Sequence, residues 1–382
     1  MDAMTLRGHR VLVTGAGGFV GAWLCEAFHL SGWATVRAGV GRWTSAVRIA
    51  RFPLEIVPCN VLDATQLDAA LAGVDSVVHC ARSYDPRVTI EGTRLLLERA
   101  RAAGVRRVVY LSSVAVYGEA PGRVDESAVA HGILTPYAES KREAEALCRA
   151  AAAEGLETVI LRPTLIYGPF GETWTIAYAT RLVSGRWKTL GPAGDGHCNL
   201  LYVGDLIRAI QGALTAPVEP GRAFNVNGPE IPTWNGYFER FNALLTGRPL
   251  EAAGARRSQL EMLASKPVRA LGKYVLKHHK PLLIGLSARS LAVKSVLKRA
   301  ETKLRMVPSP DEAKLFRLDA VYDIARARAE LGFEPITGLD RGLALSAAWL
   351  VQNGVVPPRP DALPERPARA SDALGREVPL AS

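Results

Sequence analysis

Short apolar runs rich in Val, Ile and Leu recur along the first half of this chain: RVLVTG from residue 10, ATVRAGV from 34, LEIVPCN from 54, SVVHCA from 76, RVVYLSS from 107 and ETVILRP from 157. Their length and β-branched content read as buried strands. Between most of them the apolar period becomes helical. GAWLCEAFHLSG, for example, reads as a helix closed by Gly32. Strand, helix and strand in repetition predict an α/β fold built on a doubly wound parallel sheet with helices on both faces.

After residue 169 the alternation loosens, Gly and Pro become frequent, and Trp174, Trp187, Tyr202 and Trp234 appear. This pattern predicts one domain over residues 1–168, its sheet completed by parts of 200–230, followed by a smaller C-terminal substrate lobe over 169–356. A basic helical insertion is expected at 251–315, and a Pro- and Ala-rich disordered tail at 357–382.

Composition changes the picture in two places. The chain of 382 residues carries a formal charge of +10, yet residues 255–305 alone hold 13 Lys+Arg against 2 Asp+Glu. That surplus leaves the rest of the chain close to neutral, so basicity belongs to one segment. There Arg269, Lys273, Lys277 and Lys280 share one helical face, with Val268, Leu271 and Val275 on another. The segment reads as a solvated insertion, a clamp for a phosphorylated substrate, or a membrane-surface helix over 266–305. Base-reading motifs are missing, which disfavours nucleic acid.

Five cysteines at 25, 59, 80, 148 and 198 form no CxxC pair. They suit a reducing compartment, so the expected location is cytoplasmic, with the inner face of a membrane as the alternative. His278 and His279 have no evident metal-ligating partners, and no metal is expected.

VTGAGGFVGAWL places Gly15, Gly18 and Gly21, with Phe19 and Val20, between the first strand and its helix. Such a loop turns sharply, lets backbone amides approach a pyrophosphate, and aims the positive helix end at it. A Rossmann-like dinucleotide site is therefore expected. The second strand ends in RAGVGRW, with no acid for a ribose 2′-hydroxyl and with Arg42 nearby. A guanidinium there suits a 2′-phosphate, so the expected cofactor is NAD(P), with NADP favoured over NAD.

YAESK places Tyr137 and Lys141 at i and i+4 of a helix, on neighbouring surface positions. An ammonium beside a phenol favours the phenolate and makes it a usable general acid or base. Ser112 and Ser113 at the end of RVVYLSS could hold the reacting oxygen.

The order of these features resembles the extended short-chain dehydrogenase/reductase family, in its NAD-dependent epimerase/dehydratase branch. The matching stretches are VTGAGGFVG, GVDSVVHCA, LSSVAVYGE, PYAESK, LRPTLIYGP, LYVGDLIRAI and ARAELGFEP. The resemblance implies Tyr137 as acid/base, Lys141 as its pKa-depressing and ribose-binding partner, and Ser113 at the substrate oxygen. It also implies Asn60 and Val61 near adenine, Cys80 and Ala81 along the cofactor cleft, and Pro163 beside the nicotinamide. Val114 and Ala115 stand where dehydratases of the branch carry an Asp-Glu pair, which argues against dehydration. Thr89 replaces the helix Asn of the proton relay, and Thr164 and Leu165 fill the stretch where an Asn often follows LRP.

The leading expectation is an NAD(P)-dependent epimerase or oxidoreductase acting on a nucleotide-linked sugar, assembled as a homodimer. Trp174, Asn199 and Tyr202 are the candidate substrate contacts, with core packing as the competing role for Trp174 and Trp187. Cys198 and His79 read as structural residues. The alternatives are a sterol- or flavonoid-type hydroxy/keto oxidoreductase at a membrane surface, and a non-catalytic dinucleotide-binding sensor.

Overall fold

A computed structural model describes residues 6–83, 85–252 and 308–359. Most of the basic stretch, including 266–305, and most of the tail lie outside the described residues.

Seven of the described strands form one sheet in which every pairing is parallel. They are β1 (Leu6–Thr14), β2 (Ala34–Val40), β3 (Glu55–Pro58), β4 (Ser76–His79), β5 (Arg107–Leu111), β7 (Glu157–Pro163) and β10 (Arg222–Val226). The spatial order β10-β7-β5-β4-β1-β2-β3 reverses between β1 and β4. At such a switch point the connections leave in opposite directions and open a crevice beyond the strand ends. The six runs read as strands all enter this sheet, and Arg222–Val226 completes its far edge.

Both faces are covered because the strands are apolar on both sides. On one face α1 (Phe19–Ser31), α6 (Val203–Thr215) and α9 (Ala325–Leu331) bury Phe28, Ile210 and Leu331. On the other, α2 (Ala64–Leu71), α3 (Pro86–Ala102) and α4 (Pro136–Ala153) bury Leu67, Leu96 and Ala144. Gly32 ends α1 in the left-handed conformation at φ 61°, as the sequence predicts.

A second core is aromatic. Tyr178 of α5 (Ala177–Val183), Trp234, Tyr237 and Phe238 of α7 (Trp234–Thr246), and Phe316 after α8 (Pro310–Leu315) pack together. Two small parallel pairs frame the region between the cores: β8 (Leu165–Tyr167) with β9 (Leu200–Tyr202), and β6 (Gly122–Val124) with β11 (Ala320–Tyr322). The last described helix, α10 (Leu339–Gln352), packs Leu343 and Leu350 into the aromatic core.

Candidate active site

Gly15 follows β1 at φ +66°, and a Cβ there would stand 2.8 Å from Ala81 Cα. Gly21, in the first turn of α1, leaves no room either: its Cβ would lie 2.4 Å from the Gly15 carbonyl oxygen. Gly18 is the N-cap of α1 and supplies no side chain to its amides, and Phe19 and Val20 open the helix. Gly17, which sequence reasoning passed over, leaves no room for a side chain either: a Cβ there would stand 2.4 Å from the Ser45 carbonyl oxygen. The loop is thus a tight cradle at the positive end of a thirteen-residue helix, in the switch-point crevice. Its residues fit a dinucleotide pyrophosphate.

Cys80 and Ala81 continue β4 into the same crevice and touch the Gly15 position. Exposed Arg42 stands two residues beyond β2, its carbonyl accepting from the Ser45 amide and hydroxyl. Exposed Asn60 and buried Val61 follow β3, and Asn60 Oδ1 accepts from the Leu62 amide at 3.2 Å. Arg37 takes no part. It is buried, donating to the Ala70 and Ala72 carbonyls and pairing with Glu55. Pro163 ends β7, opposite Val226 of β10.

Helix α4 begins with Thr135 as N-cap, accepting from the Ala138 amide at 3.2 Å, and Pro136 sets its first turn. Ala138, Lys141, Ala144, Glu145 and Cys148 form its buried face. Lys141 is only 4% exposed, and its Nζ donates to the Leu111 carbonyl at 2.7 Å over the Tyr110 ring. Burial, together with the Arg82 charge, pulls its pKa down to about 8. Tyr137 sits at the open edge of that face, 37% exposed. Burial raises its pKa, while the Ser113 hydroxyl and Arg82 pull the other way.

The sequence reading paired the phenol with Lys141. The cation set against the ring is instead Arg82, its guanidinium 5.7 Å from the centroid. Its signal was visible but unused: a cation directly after Cys80 and Ala81, at a strand end in the crevice.

Behind this surface lies a buried relay. Arg162 of β7 grips both carboxylate oxygens of Glu145, at 2.9 and 2.6 Å. Ser112 donates to the same carboxylate at 2.6 Å, and Arg162 also donates to the Tyr117 hydroxyl. Tyr117 in turn donates to Asn225 of β10 at 2.7 Å. Burial favours the neutral acid, yet the Arg162 bonds and charge hold Glu145 below the usual carboxylate range.

Beside Ser113 opens a cavity of about 210 Å³. Val114, Ala115, Ile133, Ala138, Leu165 and Leu318 supply much of its wall. Ile133, at the rim, is 94% exposed. Asn199 lines the cavity but is spent internally: its amide donates to the Ala320 carbonyl at 2.8 Å and its oxygen accepts from Asn227 at 2.9 Å. Thr164, another lining residue, donates to Asn227 at 3.0 Å. Glu119 pairs with Lys314, and His197 Nδ1 lies 2.8 Å from an Asp319 carboxylate oxygen.

The other candidates fall elsewhere. Trp174 stacks on Tyr178 and packs against the aromatic core, which Trp187 also joins. Tyr202 lies edge-on to Tyr167 in that core. Cys198 is fully buried there, and burial pushes its thiol pKa far up, so it is inert as an acid/base. His79 bridges the Thr14 and Thr93 hydroxyls, and burial lowers its pKa to about 3. Among the described residues no group of acids, His and Cys could hold a metal, and no helix is long and apolar enough to cross a membrane.

Residues 11–227 match the sequence family described as the NAD dependent epimerase/dehydratase family. The N-acetyl-alpha-D-glucosaminyl-diphospho-ditrans,octacis-undecaprenol 4-epimerase of Escherichia coli O157:H7 is 30% identical over 235 residues, 58% of this chain and 68% of that protein. The 3 beta-hydroxysteroid dehydrogenase/Delta 5-->4-isomerase of Mycobacterium tuberculosis (strain ATCC 25618 / H37Rv) is 26% identical over 357 residues, 86% of each. The UDP-glucuronic acid 4-epimerase of Bacillus cereus, solved with UDP-glucuronic acid and NAD, superposes with a TM-score of 0.66 at 20% identity, covering 90% of this chain and 99% of that one. At that identity the likeness speaks for the fold.

Proposed function

The chain belongs to the NAD dependent epimerase/dehydratase family, and from that premise we propose that it moves hydride at a carbinol or carbonyl carbon with Tyr137 as the proton-transfer group. Gly15, Gly18 and Gly21 would hold the pyrophosphate of NAD(P), Cys80 and Ala81 would line its path, and Lys141 would bind the nicotinamide ribose. When bound, the dinucleotide supplies the hydride acceptor or donor. In oxidation, the Tyr137 phenolate takes the hydroxyl proton of the substrate. In reduction, the phenol returns a proton to the carbonyl oxygen. Ser113 holds that oxygen, and its hydroxyl can donate while accepting from the Ala115 amide at 3.2 Å.

The observations that support this reading are that the Ser113 hydroxyl acts on the Tyr137 phenol, that Lys141 is buried one turn along the same helix on the Leu111 carbonyl, and that Cys80 and Ala81 meet the glycine loop. For the dinucleotide, Arg42 beyond β2 supports the 2′-phosphate of NADP, whereas the Bacillus cereus neighbour was solved with NAD.

On the substrate, two readings remain. The E. coli relative and the Bacillus cereus neighbour are epimerases of diphospho-linked sugars, which favours a nucleotide-linked sugar. The largely apolar cavity favours the second, a hydroxy or keto compound of the kind the Mycobacterium tuberculosis relative's name describes.

Tyr137→Phe tests the proposal. The variant should bind the dinucleotide as the wild type does and lose turnover by roughly 10²–10⁴-fold, the usual contribution of a positioned acid/base. Unchanged turnover would remove Tyr137 from the chemistry, and a non-catalytic sensor would keep its output. Failure of both NAD and NADP to stabilise the protein would end the reading altogether.

A further inference from the structure

Two serines follow β5, and the fold gives them different neighbours. Ser113 lines the cavity, its hydroxyl oxygen accepting from the Ala115 amide. Ser112 is buried and turned inward, its hydroxyl donating to Glu145 of α4 at 2.6 Å.

A closed circuit fixes the backbone at Ser112. Its amide donates to the Leu161 carbonyl of β7 at 2.7 Å. Its hydroxyl meets Glu145, which is gripped by Arg162, the residue next to Leu161, and braced by Arg149 at 2.9 Å. One residue earlier, the Leu111 carbonyl accepts from Lys141.

The spacing on α4 ties this circuit to the phenol. Tyr137, Lys141 and Glu145 follow one another at four-residue steps, so they are neighbours along one side of the helix. They act in turn on Ser113, the Leu111 carbonyl and Ser112. The strand end and the phenol are thereby referred to the same helix, and neither can move against the other without breaking the Lys141 or Glu145 contact.

Resting on the hydride-transfer reading above, we infer that Ser112, Glu145 and Arg162 are positioning residues, which fix the strand end so that the Ser113 hydroxyl stays set against the Tyr137 phenol. A buried ion pair adds little net stability over well-packed apolar residues of the same volume. Its contribution here is direction: the planar fork of Arg162 orients the Glu145 carboxylate, and the carboxylate orients Ser112. Supporting contacts of this kind hold a reacting group in its productive geometry.

The test uses the purified full-length chain, isotope-labelled at the tyrosine Cζ and observed by NMR, with Tyr137→Phe identifying the Tyr137 resonance. NAD and NADP are first compared by thermal shift. Stabilisation by neither ends the hydride-transfer reading and this inference with it. With a stabilising dinucleotide bound, the ionised fraction of Tyr137 is followed upward from about pH 7 for as long as the fold holds.

A hydrogen bond donated to a phenolate favours it, so loss of the Ser113 bond leaves less phenolate at a given pH. Ser113→Ala should therefore move the titration to higher pH. Ser112→Ala, which leaves Glu145 paired with Arg162 and Arg149, should move it the same way. The double variant should add nothing to Ser113→Ala, because Ser112 acts through Ser113. Arg82, Tyr110 and Lys141, the other titratable groups near the phenol, stay in place throughout. Ser112→Cys keeps the volume but weakens the donor, and it carries the same test if the alanine variant does not fold.

Thr158→Ala separates positioning from stability. The Thr158 hydroxyl is buried and donates to the Cys148 carbonyl at 2.9 Å, so this variant costs α4 a comparable bond far from Tyr137. Its titration should match the wild type. A titration unmoved by Ser113→Ala or by Ser112→Ala, an equal displacement by Thr158→Ala, or a further displacement in the double variant overturns the inference.

Discussion

The Arg82 guanidinium lies 5.7 Å from the centroid of the Tyr137 ring, so a cation delivered by the loop after β4 faces a phenol delivered by the first turn of α4. The two residues come from separate elements of the fold. Their meeting depends on β4 and β5 lying side by side and on α4 packing back over them.

The charge has a consequence for pH dependence. Tyr137 is met by Ser113 from the end of β5, by Tyr110 from within β5, by Lys141 on its own helix and by Arg82. A cation favours the phenolate, so Arg82→Leu should raise the phenol pKa and move the limb that requires phenolate to higher pH. Arg82→Lys should reverse most of that displacement. A pH profile of kcat for alcohol oxidation reads the result, and coincident limbs for wild type and Arg82→Leu would show that the cation acts elsewhere.

Lys141 makes a second, independent signal. Its folded pKa of about 8 lies below the roughly 10.4 of an unfolded lysine. Between those values the unfolded chain holds the proton and the folded one does not, so this group adds stability as pH rises through the window and withdraws it as pH falls. Relative to Lys141→Met, the wild type should gain up to about 1.4 kcal/mol per pH unit between pH 8 and 10. Urea unfolding at the two ends of the window measures it. Parallel stabilities would mean that the buried ammonium is better solvated than its Leu111 contact implies.

The Glu145–Arg162 pair is buried, so removing one partner leaves the other's charge without compensation. Glu145→Ala should destabilise the fold by about 3–5 kcal/mol, as broken buried pairs do. It also frees the Ser112 hydroxyl next to Ser113. A loss below 1 kcal/mol in denaturant unfolding would contradict the energetic weight given to this relay.

The proposed preference for NADP rests on Arg42. If it pairs with a 2′-phosphate, Arg42→Ala should weaken NADP by roughly 10–100-fold, the worth of hydrogen bonds to a charged group, and leave NAD within a factor of about two. Titration of both dinucleotides decides it. Equal losses would make the arginine a general contributor to the crevice rather than a reader of the phosphate.

The strands and the glycine loop were legible because their signals are local. A short β-branched run between turn formers has few alternatives, and Gly15 and Gly21 are demanded by contacts within a few residues of the loop or at one strand end. Arg82 was not legible in the same way, since an exposed loop arginine becomes an active-site cation only when another helix lays a tyrosine against it. The aromatic residues show the opposite limit. Trp174 and Tyr202 are candidate substrate contacts in the sequence, with core packing as the competing role for Trp174 and Trp187, and in the fold they pack with an aromatic core, because a buried ring and a ligand-stacking ring look alike in sequence. Asn199 reached the cavity wall, but its hydrogen bonds run inward through a network assembled from three distant segments.

The pairing of Ala320–Tyr322 with Gly122–Val124 sets an order on the making of this protein. By the time Val226 leaves the ribosome, all seven strands of the large sheet exist, and with them the glycine cradle and YAESK. The wall that Leu315, Leu318 and Tyr322 add to the cavity is synthesised roughly ninety residues later, at a typical 5–20 residues per second. For those seconds the nascent chain owns a dinucleotide crevice whose substrate side is still open, so the cofactor can serve as a folding ligand before there is a pocket for it to serve.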